Sequence, residues 1–273
     1  MSRKIFWSIP QKDTLKELKL YCCHAIEENS KQGKQVEDIL LYKHEIFVKF
    51  TYCIMTIEKL YEGYTEKYEN KNIKIIDYSS IIVLIRAAFE TFLQYYYIYH
   101  DSNNNEEISY RFMCWFIDGM NQRQLYETKK AEHQDKVRSE QALINNIIEK
   151  IKETDVYKNL SKEQKNDLIT QKRFRRPSWS SIAEKVGFDK VWMKEIYQFY
   201  STYSHTSSSS ILQFKGFRKD GYDIISYIIT HLFSFTSLFL DYYCKDFNIR
   251  NDLVAENNEL IEAWIFFARE FKK

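Results

Sequence analysis

Three clusters in this sequence hold residue types that could do chemistry. The stretch SSIIVLIRAAFETFLQYYYIYH places Arg86 and Glu90 four residues apart among apolar neighbours. The stretch YQFYSTYSH ends on His205 and leads into the serine run Ser207 to Ser210. The stretch KRFRR puts Lys172, Arg173, Arg175 and Arg176 close to Trp179. A guanidinium has more donors than one carboxylate can satisfy, so Arg86 beside Glu90 has capacity for an anionic ligand. An imidazole titrates near neutrality and suits proton transfer. A basic cluster next to an aromatic can hold a nucleic-acid backbone.

Helical periodicity sets the expected surroundings. Positions four apart lie about 40° apart around a helix, and Ile82, Val83, Leu93 and Tyr97 share the sector of Arg86 and Glu90. Ile81, Ile85, Phe89, Phe92 and Tyr96 fill the adjoining side. A helix apolar nearly all round is a buried one, which places the pair inside the protein. Two readings follow: a buried salt bridge that sets helix register, or the floor of a site with Arg86 turned toward an anion. In the helix bearing His205, Trp192, Ile196, Phe199, Tyr200 and Tyr203 form the core stripe. His205 shares the opposite sector with Lys194, Gln198 and Ser201, where it is solvated or lines a polar cleft. Ser204 to Ser210 is a point of fraying or kinking, because serine hydroxyls compete for backbone groups.

These residues carry a resemblance. RAAFE in an apolar helix, Trp179 followed by SSIAEKVG, and YQFYSTYSH resemble a bacterial family of helical proteins known only as a domain of unknown function. That family's Arg-x-x-x-Glu helix matches Arg86 and Glu90, its Trp-to-Gly segment matches Trp179 and Gly187, and its Tyr/Ser-x-x-x-His ending matches Tyr197, Ser201 and His205. The resemblance covers residues 36 to 245. It implies that Arg86, Glu90 and His205 face one site; Tyr197, Ser201 and Ser204 are candidate ligand-binding groups. The family is in turn distantly similar to the HEPN superfamily of helical ribonucleases, nucleic-acid binders and phage-defence toxins. That superfamily cuts RNA with an Arg separated by four to six intervening residues from a following His on one helix. Here Gln198, Phe199 and Tyr200 occupy those slots before His205. Arg86 would have to substitute from another helix.

The elements that position these residues are helices. Gly (6) and Pro (2) are scarce, whereas 21 Tyr and 19 Phe supply a large aromatic core. Asp13 caps a predicted helix over 13–28, and residues 29–35 form a loop. A long helix follows over 36–61, with continuation to Tyr68 interrupted by Gly63. Asp77 or Ser79 caps the Arg86 helix, which runs to His100 before the break at DSNNNEE. A helix starts at Glu106, apolar positions thin out over 121–138, and periodicity returns at Leu143, Ile144, Ile147, Ile148 and Ile151. Ser161 opens the next helix, Gly187 stops SIAEKV, and Asp189 starts the His205 helix. Apolar helices follow over Tyr222–Cys244 and from Leu253, with Leu260, Trp264 and Phe267 inward. The expected fold is an all-α multi-helix bundle: a single domain over 1–273, with a projecting charged helical hairpin inserted at 121–172.

Composition narrows the function. A net charge of +2 gives no global field toward nucleic acid or membrane, so contact with either must be local. Five cysteines without a C-x-x-C pair point to reduced thiols and a cytoplasmic setting. The opening MSRKIFWSIPQKD is too short in apolar residues for a signal peptide. The stretch 224–240 is fenced by Asp223 and Asp241 and rich in Ser and Thr, which fits a core helix and no membrane partner. Metal-ligand spacings, phosphate-loop glycines and a dinucleotide motif are missing, so neither metal nor cofactor is expected. Two functions of different class remain. One is a phage-defence or toxin-type effector binding RNA or a nucleotide at an Arg86/Glu90/His205 cleft, with metal-independent ribonuclease chemistry. The other is a non-enzymatic interaction module docking a protein partner or a second copy. SSIAEKVGFDKVWMKEIYQFY also has the layout of a helix-turn-helix DNA binder, a third and weaker alternative.

Overall fold

In a computed structural model the chain is the all-α multi-helix bundle expected from its sequence, with a single two-stranded hairpin among the described residues. The structure describes residues 11–33, 38–69, 71–125, 130–169, 177–204, 207–212, 215, 222–249 and 258–270. The chain divides into two compact units, Met1–Tyr95 with Trp179–Lys273, and Tyr96–Ser178. The second unit starts earlier and ends later than the 121–172 segment read from composition.

The first unit comprises α1 (Gln11–Lys31), α2 (Asp38–Glu62), strands β1 (Tyr64–Tyr68) and β2 (Lys71–Ile75), most of α3 (Tyr78–Tyr99), α8 (Trp179–Val186), α9 (Lys190–Ser204), α10 (Tyr222–Asp246) and α11 (Asn258–Glu270). Its axis is α10, in which every residue from 231 to 240 is buried. Phe47 and Phe50 of α2 and Phe92 and Tyr95 of α3 all meet Phe239, with ring centroids 5.0, 4.7, 5.4 and 4.6 Å away. Phe47 also stacks on Tyr243 at 3.9 Å. This is where the abundance of Tyr and Phe is spent. The hydroxyls of Thr230 and Ser234 donate to carbonyls one turn back, at 2.8 and 3.2 Å, so these buried polar groups satisfy themselves locally.

The helix ends follow sequence signals. Gly63 ends α2 with φ +73°, and a Cβ there would stand 2.7 Å from the Ile75 carbonyl oxygen. The antiparallel hairpin that follows pairs Tyr64 with Ile75 and Tyr68 with Lys71. The sequence reading had no strand here, since a five-residue exposed strand buries too little to show a clear alternation. Asp77 caps α3, accepting from the Ser80 amide at 3.1 Å and the Ser80 hydroxyl at 2.6 Å. α1 runs to Lys31, past the predicted end, and Gly33 follows it with φ +58°. Gly187, at φ +117°, ends α8, with its amide donating to the Ala183 carbonyl.

The second unit holds α4 (Asn105–Gln124), α5 (Ala131–Glu153), α6 (Asp155–Lys158) and α7 (Lys162–Ile169). Tyr110, Cys114, Ile117 and Met120 of α4 pack on Ile144, Ile148 and Ile151 of α5 and Leu168 of α7. Leu143, counted with the apolar positions in the sequence, is exposed. Ser161 and Gln164 form a reciprocal capping box at 2.9 and 3.2 Å that starts α7. Arg111 is buried and pairs with Asp101 at 2.9 Å and with Glu107, its guanidinium 4.2 Å from the Tyr97 ring centroid.

Among the described residues, the helix long and apolar enough to cross a membrane by length and composition is α3, not 224–240, and more than half of its most apolar window is buried.

Candidate functional site

Arg86 and Glu90 sit in the middle of α3, and Tyr197 of α9 comes to meet them. The Arg86 Nε donates to Glu90 Oε1 at 2.9 Å, and Nη2 donates to the Tyr197 hydroxyl at 2.9 Å. That hydroxyl donates in turn to Glu90 Oε1 at 2.6 Å, closing a three-membered ring of hydrogen bonds. The guanidinium carbon lies 5.0 Å from the Tyr197 ring centroid, within cation–π range. All three residues belong to the first compact unit.

The rotation of α9 explains why Tyr197 reaches α3. Asp189 caps the helix by accepting from the Trp192 amide at 2.7 Å. Met193, Ile196, Tyr200 and Tyr203 face the core. Tyr200 is fully buried, and its hydroxyl pairs with His231 Nδ1 of α10 at 2.7 Å. Tyr197 lies about 60° around the helix from Tyr200, at the flank of the core stripe, where α3 passes. Phe188, just before α9, packs on Phe89 of α3 at 6.1 Å and on His231 at 5.7 Å. Core packing therefore holds both sides of the Arg86–Tyr197 contact.

The pair is not sealed inside the protein, as the all-round apolar pattern of α3 predicted. The side chain of Arg86 is 20% exposed and that of Glu90 30%. Val83, one turn before Arg86, is exposed, whereas Ile82 and Leu93 of the same sector are buried, so Arg86 and Glu90 stand at the edge of the covered face of α3. The pattern misled because α3 is apolar on a wider arc than its neighbours cover. Burial pulls the Arg86 pKa down, but Glu90 and Tyr197 outweigh it and raise it above its ordinary value. Burial pushes the Tyr197 phenol up and Glu90 adds to this, with Arg86 opposing. The site thus holds a permanent cation with a neutral phenol against it.

Other predicted site residues fall as follows. Ser201, one turn after Tyr197, is half-buried and its hydroxyl donates back to the Tyr197 carbonyl at 2.9 Å. Ser204 is the last residue of α9. His205, Lys172, Arg173, Arg175 and Arg176 lie outside the described residues. Ser207 stands between α9 and a helical segment over 208–212, and its hydroxyl accepts from the Ser210 amide at 3.2 Å as a cap. Among the described residues no cluster of three or more His, Cys, Asp and Glu is arranged to hold a metal.

Sequence reasoning passed over two further polar sites. His231 is enclosed by Phe89, Trp192 and Phe235, with ring centroids 5.0, 4.8 and 5.1 Å away, and burial lowers its pKa to about 3. His44 of α2 pairs with Tyr243 at 2.7 Å and Asn29 at 3.0 Å. No local signal marks either site, since the partners stand on helices remote in sequence.

No curated protein and no solved structure matches the chain. A family model does match, over residues 76–223, more than half of the chain. That span is narrower than 36–245, yet it includes Arg86, Glu90, Tyr197, Ser201 and His205. The chain belongs to DUF5677, a family of unknown function.

Proposed function

We propose that this protein is a cytoplasmic bacterial effector of the phage-defence or toxin type, distantly HEPN-like, that binds a phosphate of RNA or of a nucleotide at Arg86. The observation that carries this reading is the anchoring of Arg86. One carboxylate and one phenol, from two helices, hold the guanidinium in place while its side chain keeps a fifth of its surface in solvent. A preorganised guanidinium whose side chain is partly open to solvent is suited to a phosphate, two of whose oxygens match its fork. In this reading Glu90 and Tyr197 are positioning residues for Arg86. Tyr197 and Ser201 are spaced at one helical turn, and His205 follows Ser201 at the same spacing.

The chemistry proposed with His205 is metal-independent. The imidazole takes the proton of a ribose 2′-hydroxyl, and the 2′-oxygen attacks the phosphorus. The P–O5′ bond breaks, leaving a 2′,3′-cyclic phosphate. The same proton passes to the departing 5′-oxygen. The test expresses wild type, Arg86→Ala and His205→Ala and compares toxicity, RNA binding and RNA cleavage. The expected result is loss of binding in Arg86→Ala and loss of cleavage, with binding kept, in His205→Ala. Equal behaviour of all three proteins overturns the proposal.

A second reading, a non-enzymatic interaction module, draws support from α2. Leu41, Tyr52 and Met55 are exposed there, and a shallow groove beside them is lined by Val48, Tyr52 and Leu84. If this reading holds, Tyr52→Glu changes oligomeric state or partner capture while Arg86→Ala changes neither.

A further inference from the structure

A second polar site lies where the ends of α1 and α10 meet the start of α2, away from the Arg86 site. A cleft of about 370 Å³ opens there, lined among others by Asn29, Gln32, Leu40, His44, Asp246 and Phe247. That size is near the small end of ligand-binding pockets, which span about 300–1,000 Å³. Arg86 is not among its lining residues. Tyr95, which bonds Asp246, lies nine residues beyond Arg86, roughly 13 Å along α3.

The walls have a defined donor and acceptor pattern. His44 Nδ1 stands 3.0 Å from Asn29 Nδ2 and 2.7 Å from the Tyr243 hydroxyl. An amide nitrogen only donates, so Nδ1 accepts and the ring proton resides on Nε2. Burial lowers the His44 pKa, with Glu45 opposing, and keeps the ring neutral near pH 7. His44 therefore supplies a donor. Most of the other groups accept. Gln32 Nε2 donates to the Phe247 carbonyl at 3.2 Å, which leaves Oε1 as an acceptor. Asn29 presents Oδ1 in the same way, since its Nδ2 is engaged by His44. Asp246 is a carboxylate held by Lys43 at 2.7 Å and by the Tyr95 hydroxyl. The C-terminal ends of α1 and α10 add partial negative charge from their last carbonyls. Leu40 and Phe247 supply apolar surface.

An anion is disfavoured among these carbonyls and the carboxylate. A simple ammonium leaves the His44 donor unused. We infer that the cleft binds a flat heterocycle with an exocyclic amine beside an accepting ring nitrogen, the pattern of adenine and cytosine, as the base or nucleoside. The amine donates to the acceptor wall, the ring nitrogen accepts from His44 Nε2, and the ring lies against Leu40 and Phe247. This proposal is independent of the phosphate reading at Arg86.

The test titrates the full chain by calorimetry with adenosine, cytidine, inosine and uridine. Adenosine or cytidine should bind, and the corresponding oxo nucleoside should bind about tenfold or more weakly, because both the amine donor and the ring-nitrogen acceptor are inverted and their polar partners left unpaired. Gln32→Ala and His44→Ala should each weaken binding by a similar factor. Gln32 is half-buried at a helix end, so its variant decides the question if His44→Ala fails to fold. Inorganic phosphate should not displace the nucleoside. Absence of binding by both amino nucleosides, equal affinity for amino and oxo forms, or unchanged affinity in Gln32→Ala overturns the inference. Displacement by phosphate also overturns it, because the nucleoside would then occupy an anion site.

Discussion

The Tyr197 hydroxyl stands 2.6 Å from Glu90 Oε1, joining α9 to α3 across 107 positions of sequence. Because the same hydroxyl accepts from Arg86, the phenol acts as a brace on the guanidinium. Tyr197→Phe keeps the ring and removes the brace. The fold should lose about 1 kcal/mol, and on the proposed phosphate reading RNA binding should fall by about tenfold as Arg86 loses its fixed geometry. Urea denaturation and a filter-binding assay on the same samples separate the two effects.

Partial exposure sets the expected stability cost at Glu90. Removing one partner of a fully buried ion pair costs about 3–5 kcal/mol. Glu90 and Arg86 retain 30% and 20% of their side-chain exposure, so water can replace part of what is lost. Glu90→Gln should destabilise by about 1 kcal/mol or less in chemical denaturation. A loss near the buried-pair figure would mean that the guanidinium has no route to solvent.

Arg111 is the opposite case. It is buried, and two carboxylates and the Tyr97 carbonyl depend on it. Arg111→Ala should cost the second unit about 3–5 kcal/mol. Hydrogen exchange should show α4 losing protection, with residues of α9 and α10 unaffected. Uniform loss across the chain would mean that the two units unfold together.

Acid stability should follow His231. Its folded pKa, about 3, lies below the ordinary 6.5, so the unfolded chain binds this proton first as pH falls. The contribution is fully present above pH 6.5 and is lost progressively down to pH 3. The slope from this group is about 1.4 kcal/mol per pH unit. His231→Phe should flatten the acid limb of a stability–pH curve measured by urea melts. An unchanged limb would assign the acid sensitivity to other groups.

Much of the fold was legible locally because helix ends obey short-range chemistry. Asp77, Ser161, Gly187 and Asp189 mark boundaries through hydrogen bonds within four residues of themselves, and each mark is honoured. The Arg86–Glu90 bond spans a single helical turn and was equally readable. The depth of that pair was not, since exposure depends on which neighbours cover a helix face. The same reason hides the meeting of Tyr197 with Arg86, of Tyr200 with His231, and of His44 with Tyr243. Helical period gives each residue an angle on its own axis but says nothing of which axis lies opposite. Only the packing of Phe47, Phe50, Phe92 and Tyr95 around Phe239 of α10 decides that, and with it which polar side chains face one another.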